Sequence, residues 1–440
     1  MWTIGIDIGT TTISAVVMHT ETKQVEKAYT IANDSFFKTG RIWEKVQNPQ
    51  IIIDRTTKLL DEILESYSGA DVIGLTGQMH GIVYLDESGK HVSPLYTWQD
   101  ESGNQICVGE QTICEYAGEC EKETLYSGYG LATYLYHVKT GQVPDNAAKI
   151  GTIMDYLGMV LTGRREPLMH MSNAASLGLF DVERGAFKED TLLRLGGESS
   201  ILPEVAGRIE KLGYYKGIPV SVAIGDNQAS FLGTVSEPEE TLLINMGTGG
   251  QISVYVPAYN CVKGMETRPF VEKDYLLVGS SLCGGRAYAL LEHFFRSYAV
   301  ALGCEEKEQY SIMERILEQA DDSGRYMSEG LNVVTTFSGT REEPEKRGAV
   351  LNISTENFTP AGLIRGVLAG MAQELYEMYQ PVTACMEQLP KKILASGNGL
   401  RRNPVLQKIM EERFEMPLQL SQRTEEAACG AALAGFLLKN

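Results

Sequence analysis

Two common glycine-rich nucleotide cradles are missing from this sequence: it contains no GxxxxGK[ST] run, and no GxGxxG follows a strand-like segment. Any nucleotide must be held by other means. Cysteine is sparse and scattered. The eight cysteines form no CxxC pair, and the nearest set, Cys107, Cys114 and Cys120, is too widely spaced for a zinc finger and has no histidine beside it. Such thiols are expected to stay reduced, which points to the cytoplasm. No apolar run approaches the roughly 20 residues that span a bilayer, and MWTIGIDIG has no basic stretch ahead of its first apolar residues, so neither a membrane span nor a secretory leader is expected. Positive charge is in deficit. Lys plus Arg number 39 against 57 Asp plus Glu, a formal net charge of -18 that disfavours nucleic acid and anionic membranes as partners. A small-molecule partner fits better, and an acidic chain can still hold a phosphate locally.

What is present is a large α/β pattern. With 440 residues and 43% hydrophobic content the chain exceeds one ordinary domain, so two are expected. The opening GIDIGTTTISAVV (Gly5–Val17) reads as strand, tight turn, strand. Leu242–Val256, LLINMGTGGQISVYV, repeats it: a slide of 238 positions puts Asn245 on Asp7, Gly247 on Gly9 and Thr248 on Thr10. The pattern suggests two homologous domains, 1–236 and 237–440, with a boundary near Glu237–Pro238; Gly-Thr turns between strands are also common by chance. Helical spacing over Gln50–Tyr67, a strand at Asp71–Thr76, and later helices near Ala287–Val300, Pro360–Met386 and Glu425–Leu438 complete the alternation of strand and helix.

A turn with glycine and consecutive hydroxyls gathers backbone N–H groups and side-chain donors into a concavity suited to phosphate oxygens. Asp7, between Ile6 and Ile8 in a run that reads as buried, would be costly as an unpaired charge and could hold Mg²⁺ directly or through water.

GIDIGTT, GQMHG, TWQD, IGDNQAS, NMGTGG, ASGNGLRRN and EEAACGAALAG, in this order along essentially the whole chain, resemble the FGGY carbohydrate kinases. Within that family GYGLATYLY (Gly128–Tyr136), GTIMDYL (Gly151–Leu157) and PLMHMSNAASLGLFD (Pro167–Asp181) are most similar to the sedoheptulokinases. Xylulokinases share GQMHG and GDN but usually carry a basic residue where this chain has Tyr134 and an aspartate where it has Asn173.

The resemblance implies two ribonuclease H-like, actin-like ATPase domains with the active site in a cleft between them, and ATP with Mg²⁺. It implies phosphoryl transfer to the terminal primary hydroxyl of a ketose, sedoheptulose to sedoheptulose 7-phosphate, with xylulokinase or another pentulose kinase as the alternative. The domains are expected to close when sugar binds, excluding water. A non-catalytic sugar-responsive ATP-binding protein is the reading from another class, against which Asp7, Asp226 and the paired hairpins argue. GQMHG and IGDNQAS speak against a chaperone or filament-forming relative of actin, and a homodimer is left open. The chain is somewhat short for the family, so reduced peripheral insertions are expected.

Residue by residue, Asp226 matches the family's catalytic aspartate and is the expected base. His80 matches a sugar-contacting position, with the Met79 backbone beside it. Asp100 is expected to accept from sugar hydroxyls above a packed Trp98, and Tyr129, Asn173, Asn227 and Gln228 are expected to line the sugar pocket. Thr10, Thr11, Thr12, Gly247 and Thr248 would face the phosphates, Asp7 the metal, and Gly397, Asn398 and Asn403 the adenosine. Neither hairpin contains a lysine, so Mg²⁺ and backbone N–H groups are expected to carry the charge stabilisation.

Overall fold

β1 (Trp2–Ile8), β2 (Thr12–His19) and β3 (Val25–Ala32) open the chain as an antiparallel meander. The structure is a computed structural model and describes residues 1–320, 331–340, 343 and 345–438. Apolar side chains bury β1 and β2 on both faces, as central strands require, whereas β3 is mostly exposed at the sheet edge. α1 (Pro49–Ser66) starts where Asn48 accepts from the Gln50 and Ile51 amides and Pro49 pre-sets the first turn. Its apolar stripe, Ile52, Ile53, Leu59, Leu60, Ile63 and Leu64, is buried, and each such side chain stabilises by about 1.5–3 kcal/mol. β4 (Ala70–Gly77) then pairs parallel with β1, which only a crossover such as α1 permits.

The helices α2 (Gly130–Thr140), α3 (Ile153–Thr162) and α4 (Met171–Ser176) lead to β5 (Lys211–Tyr215), β6 (Ile218–Ser221), β7 (Ile224–Gly225) and α5 (Asp226–Thr234). The first sheet runs β5-β6-β4-β1-β2-β3, with β7 also parallel to β4.

β8 (Thr241–Met246) and β9 (Gly250–Val256) form the second antiparallel hairpin. β10 (Glu266–Pro269), β11 (Tyr275–Ser281), α6 (Gly284–Ala301), α7 (Pro360–Tyr379), β12 (Lys392–Ser396), α8 (Asn398–Arg401), α9 (Pro404–Phe414) and β13 (Leu418–Leu420) follow. The second sheet runs β10-β11-β9-β8-β12-β13, with β12 parallel to β8 and β13 parallel to β12. The core order β11-β9-β8-β12-β13 repeats β3-β2-β1-β4-β6, so the slide of 238 residues reflects a repeated topology.

The chain divides into two compact units, but not at one cut. The first holds Met1–Ser236, Arg268–Tyr275 and the chain from Arg423 on; the second holds Glu237–Thr267 and Leu276–Gln422. This differs from the expected pair of contiguous halves, and side-chain size explains why the last helix, α10 (Glu426–Leu437), returns to the first unit. α10 lies so close to β1, β4 and α5 that a Cβ at Gly5 would collide with the Ala428 carbonyl, one at Gly74 with the Ala431 carbonyl, and one at Gly430 with the Ala229 carbonyl. Only glycine permits that approach, and EAACGAALAG supplies the matching small residues.

Candidate active site

The turn after β1 is held from behind. Asn33 Nδ2 donates to the Gly9 carbonyl (2.8 Å), Gln47 Nε2 to the Thr10 carbonyl (2.8 Å), and the Asn33 amide to the Thr11 carbonyl (2.9 Å). Gln78 Nε2 in turn donates to Gln47 Oε1 (2.8 Å). Three successive carbonyls are thereby occupied by the protein's own amides, which removes their lone pairs from the face an anion would meet. The Thr10 hydroxyl is also engaged: it accepts from the Trp98 indole N–H (3.0 Å) and lies 3.4 Å from Gln78 Oε1. Thr11 and Thr12 are exposed. Trp98, expected to pack beneath a sugar, is 48% exposed and bonded to this turn.

Asp7 sits beside Ser14 and Thr76 in the sheet register. Burial, then the Asp226 and Glu425 charges, push its carboxyl up to about 7. Glu425 starts α10 in a left-handed conformation (φ 54°) and accepts from the Thr30 hydroxyl (2.9 Å).

Asp226 is the first residue of α5, reached through Gly225 at the end of β7. Burial raises it to about 6, while the Asn227 amide and the Arg268 charge pull it back down. Met79 is buried with its sulfur against Gly225. Asn227 is half-buried beside Asp226.

His80 has φ 71°, a conformation non-glycine residues rarely adopt, and two bonds hold it there. Its amide donates to Ser176 Oγ (3.1 Å) and its Nδ1 lies 2.7 Å from the Ser176 carbonyl. Tyr129 stacks on the imidazole, centroids 4.8 Å apart and planes within 11°. The neighbouring Gly128 (φ 86°) makes this possible, because a Cβ there would collide with the Trp98 carbonyl.

Three residues expected to contact the sugar are buried. Asp100 is 1% exposed and accepts from the Lys45 amide (3.3 Å), the Ser102 amide (3.0 Å) and the Thr133 hydroxyl (3.4 Å); burial raises its pKa and the Ser102 and Lys45 bonds lower it. Asn173 and Gln228 are fully buried, donating to the Ala223 (2.9 Å) and Pro269 (3.0 Å) carbonyls. All three bond to neighbouring loops, and Asn173 Oδ1 and Gln228 Oε1 are buried without a protein partner. Tyr134, read as a substrate discriminator together with Asn173, is core: its hydroxyl accepts from the Glu198 amide (3.0 Å).

In the second unit, Gly247, Thr248, Gly397, Asn398 and Asn403 line one cavity of about 880 Å³. The Gly285 and Arg286 amides donate to the Gly247 and Thr248 carbonyls (both 3.0 Å), locking the turn to the start of α6. Gly397 has φ 83° and lies against Met246, and Asn403 Oδ1 caps α9 by accepting from the Leu406 amide (3.0 Å). Tyr288 and Tyr310 stack in the same wall, centroids 5.8 Å apart. The Tyr288 hydroxyl is buried without a partner, and burial, Glu314 and Tyr310 push it up to about 12.

A family model for the N-terminal domain of the FGGY family of carbohydrate kinases matches residues 2–233, and one for the C-terminal domain matches residues 242–438. The chain belongs to the FGGY family of carbohydrate kinases. This FGGY kinase is 27% identical to the sedoheptulokinase of Mus musculus over 472 residues, covering 98% of this chain and 96% of that protein. It is 24% identical to a xylulose kinase of Lactococcus lactis subsp. lactis (strain IL1403) over 465 residues, covering 99% and 88%. The solved xylulose kinase from Rhodospirillum rubrum shares its fold, with a TM-score of 0.83 at 20% identity over 100% of this chain and 90% of that one. The two-domain α/β architecture is thus that of the ribonuclease H-like, actin-like sugar kinases. No helix among the described residues is long and apolar enough to cross a membrane.

Sequence reasoning about this kinase missed the amides behind the first turn, Asn33, Gln47 and Gln78, and the cavity residues Arg286, Tyr288, Tyr310 and Arg402. Gln78 stood inside GQMHG and Arg286 follows Gly284–Gly285 directly, so both had a local signal. Asn33, Gln47 and Tyr310 had none.

Proposed function

We propose that this kinase transfers the γ-phosphoryl group of ATP to the terminal primary hydroxyl of a ketose, with sedoheptulose as first candidate and sedoheptulose 7-phosphate as product. The observation that carries the reading is Asp226, at the first turn of α5 with its carboxyl raised to about 6. Such a group is ionised at neutral pH yet binds a proton roughly a hundredfold more tightly than free aspartate, which suits a general base. The sugar oxygen bonds to the γ-phosphorus, its proton passes to Asp226, and the bond to the leaving ADP oxygen breaks.

His80, Tyr129, the Met79 backbone and Asn227 would contact the sugar, while Asp100, Asn173 and Gln228 support them from within. The left-handed His80 backbone favours this assignment, since strain of about 1–3 kcal/mol persists where the surroundings impose it. Thr10–Thr12 and Thr248 would offer N–H groups to the phosphates, with Gly247, whose own N–H is held by the Gly249 carbonyl (2.9 Å), shaping the second turn, and Gly397, Asn398 and Asn403 would meet the adenosine.

Asp7 fits a Mg²⁺ ion. Its carboxyl is raised by burial and by two neighbouring acids, a strain that a cation relieves. A Mg²⁺ ion keeps several waters and takes phosphate oxygens, so one carboxylate such as Asp7 would suffice from the protein side. Bound there, it would neutralise charge on the transferring phosphoryl group.

Likeness to the mouse sedoheptulokinase along nearly the whole chain favours the seven-carbon sugar, and likeness to xylulose kinases keeps a pentulose as the second reading. ADP release with Mg·ATP across sedoheptulose, xylulose, ribulose, fructose and a no-sugar control, beside Asp226→Asn, tests both. Turnover of sedoheptulose, lost in the variant, supports the proposal; preference for a pentulose replaces the substrate; no sugar-dependent release from folded protein overturns it for the sugars tested.

A further inference from the structure

We propose that His170 and Ser172 form a positioning relay that holds the start of α5, and with it Asp226, in register with the Arg268–Tyr275 segment. This rests on the reading of Asp226 as the base. His170 ends the buried strand Leu168–His170 and is 0% exposed. Its Nε2 faces the Val271 carbonyl at 3.1 Å. A carbonyl only accepts, so Nε2 carries the hydrogen and Nδ1 does not. Nδ1 therefore accepts from the Ser172 hydroxyl (2.8 Å) and the Ser172 amide (3.2 Å). The Ser172 oxygen, its hydrogen so committed, accepts from the Gly225 amide at 3.0 Å. The donors run from Gly225 N–H to Ser172 Oγ and from Ser172 O–H to His170 Nδ1, while Nε2–H continues to Val271.

Each polar hydrogen in this chain has one acceptor, and the opposite tautomer would set lone pair against lone pair at Val271. Burial lowers the imidazole to about 4, so it stays neutral at working pH and the relay persists. Two further contacts tie the same pieces together: Gln228 donates to the Pro269 carbonyl, and Phe231 meets Phe270 edge-on at 5.4 Å. Pro269, Phe270 and Val271 are thus anchored in succession beside Arg268, whose charge acts on Asp226. A buried apolar side chain at 170 would leave the Val271 carbonyl and the Ser172 hydroxyl to find other partners, at a cost that keeps such pairs together. Displacing a base by about 1 Å costs on the order of a hundredfold in rate.

The test uses His170→Phe, His170→Gln, Ser172→Ala and the Phe/Ala double variant, with Asp226→Asn alongside. Expected are kcat values at least tenfold down in His170→Phe and Ser172→Ala with ketose and ATP KM changed less than threefold. The double variant should be no worse than the poorer single, and His170→Gln, whose amide still reaches Val271, should recover part of the loss. Hydrogen exchange across Arg268–Tyr275 should quicken in His170→Phe and slow again in His170→Gln. Wild-type kcat in folded His170→Phe or Ser172→Ala overturns the relay, as do additive losses in the double variant or unchanged exchange. If His170→Phe does not fold, Ser172→Ala and His170→Gln decide by the same criteria. Turnover by Asp226→Asn would instead sink the parent reading, and the exchange measurement would still judge the tether.

Discussion

Acidity should switch this kinase off well above the range where free aspartate protonates. With Asp226 raised to about 6, only about one molecule in eleven keeps the base ionised at pH 5, so kcat should fall about tenfold from its plateau near pH 8. At the ordinary value of 3.8 the same step would cost less than about a tenth of the rate. Asp7, raised to about 7, adds a second effect: its proton competes with the cation, so apparent Mg²⁺ affinity should weaken about tenfold per pH unit below 7, visible only at limiting Mg²⁺. The Arg268 charge lowers Asp226, so Arg268→Gln should move the acid limb of kcat to higher pH. ADP measured directly by chromatography avoids coupling enzymes that fail in acid, and return to pH 7.5 must restore full activity to exclude unfolding. A plateau extending unchanged to pH 4.5 at saturating substrates would refute the assignment of Asp226 as a base with a raised pKa.

Gly5→Ala should destabilise the first unit by about 3 kcal/mol, because its Cβ collides with the Ala428 carbonyl and the Ala432 amide of α10; calorimetry should show the melting temperature down by roughly 6–12 °C, and a change under 1 °C would contradict the close packing. Asp155, buried with Oδ1 unpartnered and raised to about 7, binds a proton in the folded state that the unfolded chain releases near 3.8, so its contribution is full below that value and is lost as pH rises toward 7. Asp155→Asn should remove this slope, about 1.4 kcal/mol per pH unit, and a wild-type-minus-variant melting difference constant from pH 5.5 to 7 would disprove it. Tyr288→Phe should raise the ATP KM about tenfold with the sugar KM unchanged, since the phenol lines the cavity with no protein partner and a bound nucleotide would supply one; equal shifts in both constants would exclude a nucleotide role.

The readable parts of this protein were those in which neighbours along the chain determine the outcome. Strand, glycine turn and strand appear twice because apolar alternation and turn residues are local signals, and helical spacing exposed α1 for the same reason. Gly247, Thr248, Gly397, Asn398 and Asn403 come from segments 150 residues apart yet line one cavity, and each stood in a glycine-rich turn that could be read alone. Polar residues inside the fold were different. Asp100, Asn173 and Gln228 look in sequence like residues that greet a sugar, but loops from positions 45, 223 and 269 close over them, accepting from the Asn173 and Gln228 amides while Asn173 Oδ1 and Gln228 Oε1 stay buried without a protein partner. His170 gave no local sign that its two nitrogens would join residues 225 and 271.

The sequence by itself determined the repeated strand-turn-strand units, their helices, the family and the residues that strand ends present. Tertiary structure alone decided which polar side chains are buried against distant segments and which stay open to solvent. The reason is physical: a polar group's role depends on whether a distant segment or water satisfies it, and only folding brings that segment within reach.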